Sequence, residues 1–260
     1  MTRTLCRSTL AAALLCALPL ALPSPGVAET AAGPQEGREI TFERPDGAVL
    51  KATLHLVRGE GRAPAVLLLH QAQRSRAEFE FLARDLHEMG FHTLAVDLRG
   101  HGDSTRPEIL DRAFFMKLFR DPDFAPPDIE AILGWLSEHP RVDPERLAAV
   151  GGSVGANLSY IATGAGWGAK TAVVLSGNAE AVADLAAKTE DFAPRGVLLL
   201  AADGDSGRDA YARQLFEQAG EPKRLEIVTG SEAHGSELLL ENPRLHKMTL
   251  EWLSRELGPR

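Results

Sequence analysis

The sequence predicts one large α/β domain, a mostly parallel eight-stranded sheet with helices on both faces. Three observations carry this. From residue 39 onward, short apolar runs alternate with stretches whose apolar residues recur at helical spacing. Runs such as Ala65-Val-Leu-Leu-Leu-His70 and Gly196-Val-Leu-Leu-Leu-Ala-Ala202 lack polar alternation, as strands covered on both faces require. And the run Leu147-Ala-Ala-Val150 meets Gly151-Gly-Ser-Val-Gly155 and continues as Ala-Asn-Leu-Ser-Tyr-Ile-Ala, a strand, a sharp turn and a helix with Ser153 at the apex.

Taken in order, the chain opens with Arg3 and Arg7, then an apolar run from Leu10 to Leu22, then small residues Gly26 and Ala28. This is the layout of a secretory signal, and cleavage is expected near Ala28/Glu29. The apolar run is too short for a mature membrane helix. Both cysteines, Cys6 and Cys16, lie in this segment, so the mature chain would hold no disulfide and no thiol nucleophile. The residues before Cys16, Leu14 and Leu15, fit a lipid-modification site poorly. Removing residues 1–28 removes two arginines and no acid, taking the formal charge from −8 to −10. An acidic surface with no Lys/Arg-rich run argues against nucleic acid or an anionic membrane as partner. Residues 29–38 are rich in Ala, Gly, Pro and Glu and read as a flexible lead-in; residues 39–260 form the domain.

Glu39 to Arg44 and Val49 to Val57 alternate about Pro45-Asp-Gly47, a half-exposed hairpin. The Ala65–His70 strand follows, then a helix over Ala77 to Met89 stopped by Gly90, and a strand from Phe91 to Leu98. Arg99-Gly-His-Gly-Asp-Ser104 is a glycine-rich loop, with Asp97 placed to tie down its backbone. The Phe-rich stretch Arg106 to Phe124 reads equally as a lid or as a helix packed on the sheet. Helices follow at Pro127 to His139, Ala179 to Lys188, Arg208 to Ala219 and Asn242 to Leu257. Strands lie at Ala172 to Ser176, Gly196 to Ala202 and Arg224 to Val228.

In such sheets the reacting groups gather at the carboxyl ends of the strands. The Gly-x-Ser-x-Gly string alone arises by chance in roughly one chain in ten, so the rest of the site must support it. A serine hydroxyl needs a base, and an imidazole base needs an acid to fix its tautomer. Asp205 follows the Gly196–Ala202 strand and His234 follows the last strand, the order Ser…Asp…His that this architecture requires. Asp203 is the alternate acid and Glu180 a weaker one. Val154 N–H, with that of Gln71 or Ala72 after the Ala65–His70 strand, would form the oxyanion hole. His70 reads as a structural hydrogen-bonding residue. Gly164-Ala-Gly166-Trp-Gly-Ala169 lies after a helix and before a strand, the wrong order for a dinucleotide turn. The scattered histidines support no metal site, and no cofactor is expected.

These motifs resemble the α/β-hydrolase superfamily. Those that carry the resemblance are Leu67-Leu-Leu-His70, Asp97-Leu-Arg-Gly-His-Gly-Asp-Ser104, Gly151-Gly-Ser-Val-Gly-Ala-Asn157, Leu198-Leu-Leu…Asp205 and Ala233-His-Gly235. The chain looks like the secreted dienelactone-hydrolase-like or serine-aminopeptidase-like bacterial members. The resemblance implies hydrolysis of a small ester or related acyl bond through an acyl-enzyme, with Ser153 as nucleophile, His234 as base and Asp205 as acid. Two residues depart from the pattern. Gln71 stands where the family often has glycine, and Ser153 stands where dienelactone hydrolases proper have cysteine. A peptidase or acyltransferase on the same triad, and a silent relative that only binds, are the alternatives. A large cap has no room between Ser176 and Gly196. Substrate identity and oligomeric state are not legible.

Overall fold

The computed structural model describes residues 27–29, 37–105 and 111–258. Most of the expected export segment and lead-in, and residues 106–110 of the Phe-rich stretch, lie outside the described residues.

Among the described residues the sheet has nine strands: β1 (Val27–Glu29), β2 (Arg38–Glu43), β3 (Val49–His55), β4 (Ala63–Leu69), β5 (His92–Val96), β6 (Val142–Gly152), β7 (Thr171–Leu175), β8 (Arg195–Ala202) and β9 (Gly220–Val228). Their order is β1-β2-β3-β5-β4-β6-β7-β8-β9. The pairings among β1, β2, β3 and β5 are antiparallel, and all others are parallel. Eight of these strands match the expected sheet. The ninth, β1, has three residues, too few to show a pattern, and pairs with β2 across the junction where cleavage is expected.

The helices are α1 (Glu80–Glu88), α2 (Arg112–Arg120), α3 (Pro126–Glu138), α4 (Val154–Gly164), α5 (Ala179–Leu185), α6 (Arg208–Gln218), α7 (Glu237–Leu240) and α8 (Pro243–Leu257). A short 3-10 turn, Arg76–Phe79, precedes α1. Pro126 and Pro127 begin α3 and Pro243 begins α8, positions where the missing N–H costs nothing. Asn242 caps α8 by accepting the N–H groups of Arg244 and Leu245.

Strand alternation divides the core in two. On β4, Ala65, Leu67 and Leu69 face the layer built with α3 and α4, whereas Val66 and Leu68 face the layer built with α1 and α8. On β8, Val197 and Leu199 take the first side, and Leu198, Leu200 and Ala202 the second. All seven residues of β4 are buried. Each fully buried leucine contributes about 1.5–3 kcal/mol, so the central strands are the rigid frame and the loops at their ends hang from it.

The Phe-rich stretch forms α2, with Leu118 buried and Phe114, Phe115, Phe119 and Phe124 packed half-buried against the core. Arg120 ties α2 to α5 through Asp184 at 2.6 Å and Glu180 at 3.2 Å.

Candidate active site

β4, β6, β7, β8 and β9 each end at the same rim, and each delivers one group: His70, Ser153, Ser176, Asp205 and His234 respectively. Ser153 sits between β6 and α4 with φ 52° and ψ −110°, a strained conformation for a residue with a side chain. Glycines permit it. A Cβ on Gly151 would overlap the backbone of Gly155, and one on Gly155 would overlap the Leu69 carbonyl. Helix α4 therefore presses directly on the end of β4. Val154 N–H, in the first turn of α4, has no carbonyl one turn earlier to bond, and the helix dipole adds positive potential there.

His234 Nδ1 lies 2.7 Å from Asp205 Oδ2. Because that carboxylate is an acceptor only, Nδ1 carries the hydrogen and Nε2 is the free base. Ser176 Oγ donates to the same Asp205 oxygen at 2.7 Å and accepts Gly235 N–H at 3.1 Å, so one hydroxyl holds both the acid and the histidine loop. Asp205 and Ser153 are buried, while 29% of the His234 side chain is exposed. The backbone next to Ser153 rests against the backbone next to His234. A Cβ on Gly152 would stand 3.3 Å from Gly235 Cα and 3.4 Å from Ser236 N.

The other candidate acids lie elsewhere. Asp203 is exposed and its Oδ1 accepts Gly230 N–H at 2.8 Å, closing a turn. Glu180 is exposed on α5 and faces Arg120.

The expectation for Gln71 is corrected. Its N–H donates to Glu78 Oε2 at 2.7 Å and is not available to a substrate. Ala72 N–H donates to no backbone carbonyl among the described residues. The Gln71 side chain is folded inward, and its Oε1 is buried without a partner against Gly235. A Cβ on Gly235 would displace the end of that side chain, and the Gly235 φ of 59° lies in the left-handed region that favours glycine.

His70 is a strut. Its Nδ1 donates to the Gln71 carbonyl at 2.7 Å, and its Nε2 accepts Leu98 N–H at 2.9 Å, joining the ends of β4 and β5. That arrangement requires a neutral ring, and burial pushes its pKa down to about 4. In the unfolded chain the same ring titrates near 6.5. Below that pH the unfolded state takes up a proton that the folded state refuses. Stability from this ring is therefore full above pH 6.5 and lost as pH falls toward 4, by about 3 kcal/mol. Urea unfolding between pH 7 and 4 should show this fall in the wild type and a shallower one in His70→Gln; parallel curves would refute it.

The loop from Asp97 to Ser104 is fixed beside the site. Asp97 accepts the N–H of Arg76 at 2.6 Å and that of Asp103 at 2.9 Å, as its backbone-tying role requires. Arg99 meets the buried Asp128, which also binds Arg44 at 2.9 Å.

In the sequence Glu78 carries no mark of the site, and Ser176 is singled out only as a strand-end position without a role. Ser176 carries one available signal, its place directly after a buried parallel strand. No group of three or more potential metal ligands occurs among the described residues.

The model for the alpha/beta hydrolase fold matches residues 64–195, half of the chain, and the protein belongs to that family. More particularly, two uncharacterized proteins, one from each of two strains of Mycobacterium tuberculosis, are 32% identical over 124 residues. That match covers 47% of this chain and 40% of the length of those relatives. Among solved structures, the acetyl xylan esterase from Paenibacillus sp. R4 superposes with a TM-score of 0.69 at 15% identity, covering 89% of this chain and 88% of its own. Acetyl xylan esterase 1 from Thermoanaerobacterium sp. gives 0.65 at 16% identity, with 89% and 87% covered. The dienelactone hydrolase from Anabaena variabilis gives 0.64 at 21% identity, with 85% and 99% covered. These likenesses establish the shared fold.

Proposed function

We propose that the chain is a periplasmic or secreted serine hydrolase that cleaves a small ester or related acyl bond. The observation that carries this is the 2.7 Å pairing of His234 Nδ1 with Asp205 Oδ2 on a loop packed against the strained turn of Ser153. With Nδ1 committed to the acid, Nε2 takes the proton of Ser153 Oγ as the oxygen attacks the substrate carbonyl. The negative charge of the tetrahedral intermediate falls to Val154 N–H and Ala72 N–H. The intermediate collapses, His234 protonates the departing alcohol, and water repeats the sequence to free the acid. The named activities of the fold's relatives, acetyl xylan esterases and a dienelactone hydrolase, make short acyl esters the first substrates to try. Among the described residues no helix is long and apolar enough to cross a membrane, and export rests on residues 1–28.

Protein recovered from the periplasm or medium should begin at Glu29. It should be labelled by a fluorophosphonate at Ser153 and should cleave a short p-nitrophenyl ester. Ser153→Ala should abolish labelling and turnover. Folded protein that resists labelling sinks the hydrolase reading and favours a silent binding protein, whose closed turn at Gln71 supplies the motive.

A further inference from the structure

Glu78 lies at the rim of the site, and the catalytic reading gives it no role. It lies in the 3-10 turn before α1 and is half-buried. Its two carboxylate oxygens serve two different loops. Oε2 accepts Gln71 N–H at 2.7 Å, in the turn after β4. Oε1 accepts the Ser236 hydroxyl at 2.7 Å, two residues past His234 and 158 residues away in sequence. Burial raises its pKa, although both hydrogen bonds and Arg74 act in the opposite sense. The fold thus desolvates a carboxylate at this place without an ion pair among the described residues, since Arg74 pairs instead with Glu237.

We propose that Glu78 is a positioning residue that sets the oxyanion turn against the histidine loop. This rests on the serine-hydrolase reading. Gln71 N–H lies one peptide before the Ala72 N–H assigned to the oxyanion, so anchoring it fixes the start of the turn that carries the second, whose own plane is held at the Gln71 carbonyl by His70. Ser236 follows Gly235, whose N–H is held by Ser176, so the second anchor completes the seating of the His234 loop. A single carboxylate therefore fixes the distance between the group that takes the proton and a group that takes the charge. Its negative charge is no help to an oxyanion nearby. Glutamine in the same place keeps both contacts, its carbonyl accepting Gln71 N–H and its amide donating to Ser236 Oγ.

The test compares wild type, Glu78→Ala, Glu78→Gln and Ser236→Ala by kcat and KM on a short p-nitrophenyl ester, by fluorophosphonate labelling rate, and by the downfield proton NMR signal of His234 Nδ1–H. Glu78→Ala should lower kcat by about 10- to 100-fold with KM changed less than about threefold, and should weaken or broaden the His234 signal. Ser236→Ala should show the same pattern to a smaller degree, and Glu78→Gln should stay within about threefold of wild type in kcat. Wild-type kcat in Glu78→Ala overturns the proposal, as does a Glu78→Gln enzyme as slow as Glu78→Ala. Should Glu78→Ala fail to fold, wild-type kcat in Ser236→Ala overturns it alone. A wild type that resists labelling refutes the hydrolase reading instead. The NMR signal, which needs no turnover, still reports whether the bridge seats the histidine.

Discussion

Asp205→Asn is expected to lower kcat on a short ester by about three to four orders of magnitude, while the protein stays folded. Asp205 Oδ2 is the shared acceptor for His234 Nδ1–H and Ser176 Oγ–H, both at 2.7 Å. An asparagine can turn its amide nitrogen toward the ring, which leaves Nδ1 as acceptor and puts the hydrogen on Nε2, where no proton can be taken from Ser153. It can instead keep its oxygen in place, which preserves the tautomer but removes the charge that stabilises the imidazolium. Both routes strike the transition state rather than substrate binding, so KM should change little. The control is Asp203→Asn, two residues away. Asp203 closes an exposed turn onto Gly230 N–H, and an amide oxygen serves that bond nearly as well. Steady-state kinetics on the two variants therefore separate the acids. Equal losses would show that neither is the partner of the histidine.

That contrast also shows how far the site could be read from the chain. Ser153 and His234 stand out in the sequence as candidates because one sits in a steric motif and the other falls after the last strand. The choice between Asp203 and Asp205 was open in sequence, since a two-residue shift along a turn does not reveal which carboxylate faces inward. Ser176 and Glu78 were harder. Each acts across loops that meet only in space, and a serine after a strand or an acid before a helix has many ordinary uses. Between Gln71 and Ala72 the sequence leaves the second oxyanion donor open, because the Gln71 N–H goes to Glu78, a contact that no local pattern announces. In the fold, the central strands declared themselves as unbroken apolar runs. β9 begins four residues earlier than expected because Gly220-Glu-Pro-Lys is polar and partly exposed at the sheet edge. α7 has only four residues, too few for a period to show.

Gly155→Ala is expected to destabilise the domain by about 3–5 kcal/mol, enough to deplete the folded state of a protein with ordinary stability. The added methyl group would meet the carbonyls of Leu69 and His70 at the end of β4. These are main-chain atoms of a central strand, hydrogen-bonded on both sides to β5 and β6. No rotamer change can clear the space. Either α4 moves off the sheet or β4 bends, and both disturb the two core layers at once. The retreat of α4 would also carry the Ser153–Val154 turn away from the His234 loop, so any folded remnant should be inactive. A glycine in an open place behaves oppositely. Gly134 lies within α3 with nothing within 4 Å of its Cβ position, so Gly134→Ala should be neutral or stabilising by up to about 1 kcal/mol. Urea denaturation of both variants distinguishes steric exclusion from a general cost of losing glycine. A Gly155→Ala protein with a wild-type midpoint would mean that α4 does not press on β4, and the account of why Ser153 is held in its strained conformation would fall with it.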